Sequence, residues 1–287
     1  MTPSEAPSYP PDQHVTRDLD PTIARRDGVS TISIPIVPEI LDATGTPRAG
    51  VLATIVDIVA GESAIRAVLP QWIATSSLSL QLDALPSEGH VRATPRVIRQ
   101  GRTTLVIEVG LETGLATEAE AKGRPLGLAT LGFAILPKRN ELQARVAWAE
   151  DAAPLSRFAT EGSGLRAPLL DRIGLEPDPD DPATCRIAVV PYLMNTLGAL
   201  QGGIVATLLE ATGERFAASR LDRPVRVRSL EIHYLKLARV GPIRARARSL
   251  ARLGDGLLVR VEVFDDGAGG ELLDVGTLVV DAAPGLP

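Results

Sequence analysis

The sequence predicts an α+β protein made of two tandem copies of one unit, each a long helix packed on an antiparallel sheet. Three observations carry this. The chain repeats itself at an offset near 150 residues, each copy holds one apolar stretch of helical length, and the segments after that stretch alternate polar and apolar residues. The repeat is plainest where "STISIPIVPEILDATGTPRAGVLATIVD" (30–57) lies over "ATCRIAVVPYLMNTLGALQGGIVATLLE" (183–210) with no gap. Pro38 then falls on Pro191, Gly45 on Gly198, Gly50 on Gly203, Ala53-Thr54 on Ala206-Thr207 and Asp57 on Glu210. At an offset of 152 the match continues, with "SLSLQL" (77–82) on "SLEIHY" (229–234). A period this long means two domains, not a solenoid.

Each element follows in order. A short alternating strand (31–37; 184–190) runs toward a proline, which cannot donate to a ladder. A loop leads into a helix, about 50–69 in the first copy and 203–219 in the second. Four strands follow, near 75–83, 89–99, 104–113 and 126–136, then near 226–235, 241–251, 256–265 and 272–281. Their alternation is that of half-buried antiparallel strands. "DDGAGG" (265–270) supplies glycines for the positive φ of a hairpin turn. The proline-rich segment 1–27 reads as a flexible tail, 28–138 as domain 1, 139–180 as a linker with a short helix near 140–151, and 181–287 as domain 2.

Composition narrows the function. A net charge of −5 argues against nucleic acid as a partner. The one cysteine, Cys185, allows no intrachain disulfide and reads as a core filler. His14, His90 and His233 have no metal-ligand spacing and read as structural, so no metal is expected. There is no Walker loop, no Rossmann fingerprint and no G-x-S-x-G, so no cofactor is expected. The apolar stretch 50–69 carries Asp57, Glu62 and Arg66, each costing about 2.5–3.5 kcal/mol at a bilayer centre. No membrane association is expected, the N-terminus lacks a signal-peptide core, and a cytoplasmic protein is the default.

Asp57 and Glu210 raise the central question: each is an acid inside an apolar helical run, at one repeat register. Taken singly, either reads as a salt-bridged helix residue. "NTLGALQGGIVATLLE" (195–210) resembles the motif of hotdog-fold acyl-CoA thioesterases of the phenylacetyl-CoA-thioesterase-like branch. That motif is Asn, six residues on His-Gly-Gly, then an Asp or Glu eight residues after the first Gly. The spacing is kept here, with Gln201 in place of the His.

The resemblance implies two tandem hotdog domains forming an intramolecular pseudo-dimer. It also implies hydrolysis of an acyl-CoA, with CoA entering as part of the substrate. Site one would combine Asn195, Gln201 and Gly202 with Asp57 and Thr75 of the other copy. Site two would combine Asp42, Arg48 and Ala49 with Glu210, and has Val227 where a Ser or Thr is expected. The first is expected to work and the second to be degraded. A helix carboxylate would act as nucleophile or general base, and a backbone N–H at a helix N-terminus would hold the oxyanion. Asn195 also suits an Asx-turn, and Arg48 reads as an exposed surface residue. A non-catalytic acyl-CoA-binding protein is the alternative. Hydratase chemistry usually needs a His/Asp dyad, and neither helix carries a His. A homodimer of such chains would be compatible with exposed strand edges.

Overall fold

Thirteen strands, all paired antiparallel, form one continuous sheet in the computed structural model, which describes residues 9–118, 121–137 and 153–283. Helix α1 (Val15–Asp18) and strand β1 (Thr22–Arg26) come first. The first unit is β2 (Val29–Pro35), α2 (Ala49–Val68), β3 (Trp72–Leu82), β4 (His90–Gln100), β5 (Thr104–Thr113) and β6 (Pro125–Leu136). Three short elements follow: β7 (Leu155–Arg157), α3 (Leu169–Arg172) and β8 (Glu176–Pro177). The second unit is β9 (Thr184–Ile187), α4 (Gly202–Leu221), β10 (Val225–Tyr234), β11 (Ile243–Leu253), β12 (Gly256–Asp265) and β13 (Glu271–Ala282).

From its centre the sheet runs outward as β3-β6-β5-β4-β2 on one side and β10-β13-β12-β11-β9 on the other. The halves join where β3 pairs with β10, and there Ser79 stands opposite Glu231. Those two residues are repeat mates at the 152 offset, so a pseudo-twofold axis passes through that pair. Each long helix packs on its own half of the sheet, and the two helices pack on each other. That double contact explains why α2 is apolar nearly all round, with Val51, Leu52, Ile55, Val56 and Val59 all fully buried.

The duplicated glycines belong to the helix crossing. A Cβ on Gly50 would stand 2.5 Å from the Thr207 backbone, and one on Gly203 would stand 2.6 Å from the Thr54 backbone. Thr54 donates its hydroxyl to the Gly50 carbonyl, and Thr207 to the Gly203 carbonyl, each at 2.9 Å. The repeated Gly and Thr positions are thus one symmetrical packing device.

Of the segment 1–27 read as a flexible tail, the part from residue 9 on is corrected. Val15, Leu19 and Ile23 are buried, and β1 joins the sheet between β2 and β7. His14 accepts from the Thr16 N–H through Nδ1, and its Nε2 contacts the Met194 carbonyl at 2.9 Å. Arg17 binds the carbonyls of Pro10, Pro11 and Phe158. Few apolar residues sit in this stretch, so it lacks the periodicity that marks an element, yet each of those three enters the core. The short helix expected near 140–151 lies outside the described residues. β9 ends at Ile187, not 190, because β11 offers it partners only over Ile243–Arg246. The glycine turn appears as expected, with Gly269 at φ 75° and Gly270 at φ 77° after a 3-10 turn.

Candidate active site

A cavity of about 260 Å³ lies between the two units, and Asp57, Thr75, Asn195, Gln201 and Gly202 all line it. α2 supplies Asp57, β3 supplies Thr75, and the loop and first turn of α4 supply the other three. The rest of the wall is mainly apolar, with Ile58, Ile65, Trp72, Ile73 and Val205 among its members. The Thr75 hydroxyl donates to Asp57 Oδ1 at 2.7 Å. A β-bulge at Ser76 adjoins Thr75. The open side of the half-buried Asp57 faces the cavity. Burial raises its pKa from 3.8 to about 6, against the lowering effect of the Thr75 bond.

Asp57 looks at the start of α4. A Cβ placed on Gly202 would be 3.2 Å from Asp57 Oδ2, so glycine leaves room beside the carboxylate. Among the described residues, the N–H groups of Gly202 and Gly203 make no hydrogen bond. Unpaired N–H groups at a helix N-terminus are a ready oxyanion site. Gln201 is buried, its Nε2 is 3.3 Å from the Thr16 hydroxyl, and its Oε1 has no partner. Asn195 closes an Asx-turn: its Oδ1 accepts from the N–H of Leu197 (2.8 Å) and of Ala199 (3.3 Å).

Glu210 stands apart from these five, at the equivalent place across the pseudo-twofold axis. Its Oε1 accepts from the Ala49 N–H at 2.6 Å and its Oε2 from the Gly50 N–H at 2.9 Å. The carboxylate thus occupies the N-terminus of α2 itself. Arg48 pairs with Glu214 at 2.7 Å, and only 12% of either side chain is exposed. The expectation that Arg48 is an exposed surface residue is therefore corrected: the two buried acids beside it hold it inside. Burial raises the pKa of both Glu210 and Glu214, and their mutual repulsion adds to the rise for Glu214. Asp42 is consumed by its own turn, accepting from the N–H and hydroxyl groups of Thr44 and Thr46. Val227 is buried and offers no hydroxyl.

Sequence reasoning missed four cavity residues. Tyr234 donates its hydroxyl to the Gly202 carbonyl at 3.1 Å, and burial beside Asp57 and Asp274 holds it un-ionised. Asp274 is 1% exposed in the same wall. Tyr9 and Thr16 come from the N-terminal segment. The repeat alignment holds a signal for Tyr234, which stands where the first copy has Leu82. Nothing in the polar N-terminal sequence marks Tyr9 or Thr16.

The fold is the hotdog fold, and its sheet carries two helix-and-strand units. The chain is similar to an acyl-ACP thioesterase from Bacteroides thetaiotaomicron, at 16% identity and TM-score 0.57 over 88% of this chain and 98% of that one. It is also similar to a 12:0-ACP thioesterase from Umbellularia californica, at 8% identity and TM-score 0.57 over 89% and 94%. A conserved hot dog fold protein of unknown function from Alicyclobacillus acidocaldarius matches at 14% identity and TM-score 0.56, over 95% and 99%. At these identities the likeness is one of fold. Residues 197–271, about a quarter of the chain, match the sequence model of the Thioesterase superfamily. A search of curated proteins finds no match. Among the described residues no helix is long and apolar enough to cross a membrane, and no cluster of three His, Cys, Asp or Glu side chains could hold a metal ion.

Proposed function

We propose that the chain hydrolyses an acyl thioester, with acyl-CoA as substrate, in the cavity between the two hotdog units. One observation carries the reading: Asp57, whose pKa burial raises to about 6, stands directly beside the unpaired first turn of α4 in the wall of an apolar cavity. The match of 197–271 to the Thioesterase superfamily supports it. So does the retained spacing of Asn195, Gln201-Gly202-Gly203 and Glu210, which favours the phenylacetyl-CoA-thioesterase-like branch.

In this mechanism the thioester oxygen lies at the N–H groups opening α4, which strengthen their hold as negative charge develops. Asp57, mostly ionised at pH 7, takes a proton from water as that water attacks the carbonyl carbon. Attack by the carboxylate itself, through an anhydride that water then opens, is the second route. The Thr75 hydroxyl fixes the carboxylate in either case. The C–S bond breaks as the tetrahedral intermediate collapses. A thiol of pKa about 8.5 leaves as thiolate without a strong acid; it takes the proton held by Asp57 in the first route and a proton of the water that opens the anhydride in the second.

The test is thiol release from short, medium, long and aryl acyl-CoAs, with an acyl carrier protein thioester alongside. Turnover by wild type and loss in Asp57→Asn support the proposal; turnover of the carrier substrate alone would move it to acyl-ACP. A binding-only reading draws on Gln201, whose amide is turned to Thr16 in place of a titratable group. Tighter acyl-CoA binding by Asp57→Asn with no thiol release by wild type would favour that reading.

A further inference from the structure

Asp274 has no place in the mechanism above, yet it is a buried acid in the wall of the same cavity. It stands opposite Tyr234 in the β10–β13 ladder, so both side chains leave the sheet on one face. Its Oδ1 is buried without any hydrogen-bond partner among the described residues, and the Leu235 N–H lies beside the carboxyl. The repeat supplies a control. In the first copy Leu82, the mate of Tyr234, stands opposite Gly127. The first copy carries no acid at that place, where a Cβ on Gly127 would stand 2.4 Å from the Gln81 carbonyl oxygen. A buried carboxyl oxygen without a partner lowers stability, so packing gives no reason for it.

We infer that Asp274 binds a neutral hydrogen-bonding group of the ligand, an amide or a hydroxyl. The inference rests on the thioester reading for the identity of that ligand. Burial raises the Asp274 pKa to about 8, so at neutral pH it is mainly the protonated acid. That form offers one donor and one acceptor, which suits an amide or a hydroxyl. Such a group has two sources in an acyl-CoA: a substituent on the acyl chain, or an amide of the pantetheine arm.

The experiment measures dissociation constants of non-hydrolysable thioether analogues, so it does not depend on turnover. One matched pair differs by a chain hydroxyl; the other differs by replacement of the arm amide nearest sulfur with methylene groups. Wild type, Asp274→Asn and Asp274→Leu are compared. Wild type is expected to favour the polar member of one pair by about tenfold. Asp274→Asn should keep that ratio and Asp274→Leu should lose it. A hydroxyl ratio assigns the acyl chain, and an amide ratio assigns the arm. Absence of both ratios in wild type, or their survival in Asp274→Leu, overturns the inference. Asp274→Ala replaces the leucine variant if that does not fold, since it removes the carboxyl and adds no atom that Asp274 lacks. Discrimination without thiol release would sink the hydrolase proposal and leave Asp274 as assigned; thiol release without discrimination would do the reverse.

Discussion

At the start of α2 two backbone N–H groups hold the Glu210 carboxylate; at the start of α4 the corresponding N–H groups are unpaired beside a cavity. The difference begins with one methylene. Glu210 reaches about 1.5 Å further than the shorter Asp57, enough to seat itself on the opposite helix. The surrounding substitutions agree with that outcome. Glu214 fills the position that is Gly61 beside the cavity, and Arg48 replaces Gln201 and pairs with it. Of two equivalent helix starts, one is thus closed by the protein's own anion and the other borders an open cavity. The lesson is that the two helix starts are not equivalent: one already holds a carboxylate on its N–H groups.

The sharpest way to break this comparison is to exchange the roles of the two acids. Asp57→Asn should lower kcat/KM by about 10²–10⁴-fold, whereas Glu210→Gln should leave it within a few-fold; equal losses would mean that both ends work. The glycine crossing should instead be indifferent to which end is open. Gly50→Ala and Gly203→Ala each drive a methyl into backbone, so urea unfolding should show both losing about 1–3 kcal/mol or more. A loss confined to one would show that the crossing is not symmetrical.

Smaller effects concern charge. Glu210→Gln turns an NH2 donor toward one of the two N–H groups in place of an acceptor, and should cost about 1–3 kcal/mol in the same unfolding experiment. Asp57 has the opposite sign. Its folded pKa, about 6, lies above the ordinary 3.8, so the folded state keeps the proton longer. The burial cost is absent below about pH 4 and complete above about pH 6. Asp57→Asn should therefore match wild-type stability near pH 4 and exceed it by about 1–3 kcal/mol at pH 8, read as a shift in Tm. The activity profile carries the same group: kcat/KM should fall about tenfold per pH unit below pH 6 and flatten above it. A flat profile down to pH 5 would remove Asp57 from the role of base.

Much of the fold was legible because the chain states it twice. Alternation located all eight long strands to within a few residues, since each has one face on a helix and one toward solvent. The helices were legible from apolar length, and Asp57 stood out because a charge in such a run is costly. Other features were hidden. Val15, Leu19 and Ile23 are too sparse to show a period, so the first turn and strand of the chain read as tail. Asn195 and Asp42 carry the same turn chemistry, and sequence spacing alone could not distinguish a turn from a substrate contact.

The sequence by itself determined the duplication, the helix–sheet alternation and the register that puts an acid at one position in each copy. Those are local or periodic properties, written in spacing. Which acid meets an open cavity and which one seals a helix end was decided by tertiary structure alone. The two helices cross at Gly50 and Gly203, and that close approach fixes the gap between each carboxylate and the opposite helix start. Across so short a gap one methylene separates a carboxylate bound at a helix start from one that stands beside unpaired N–H groups, and only the packed pair of units sets that distance.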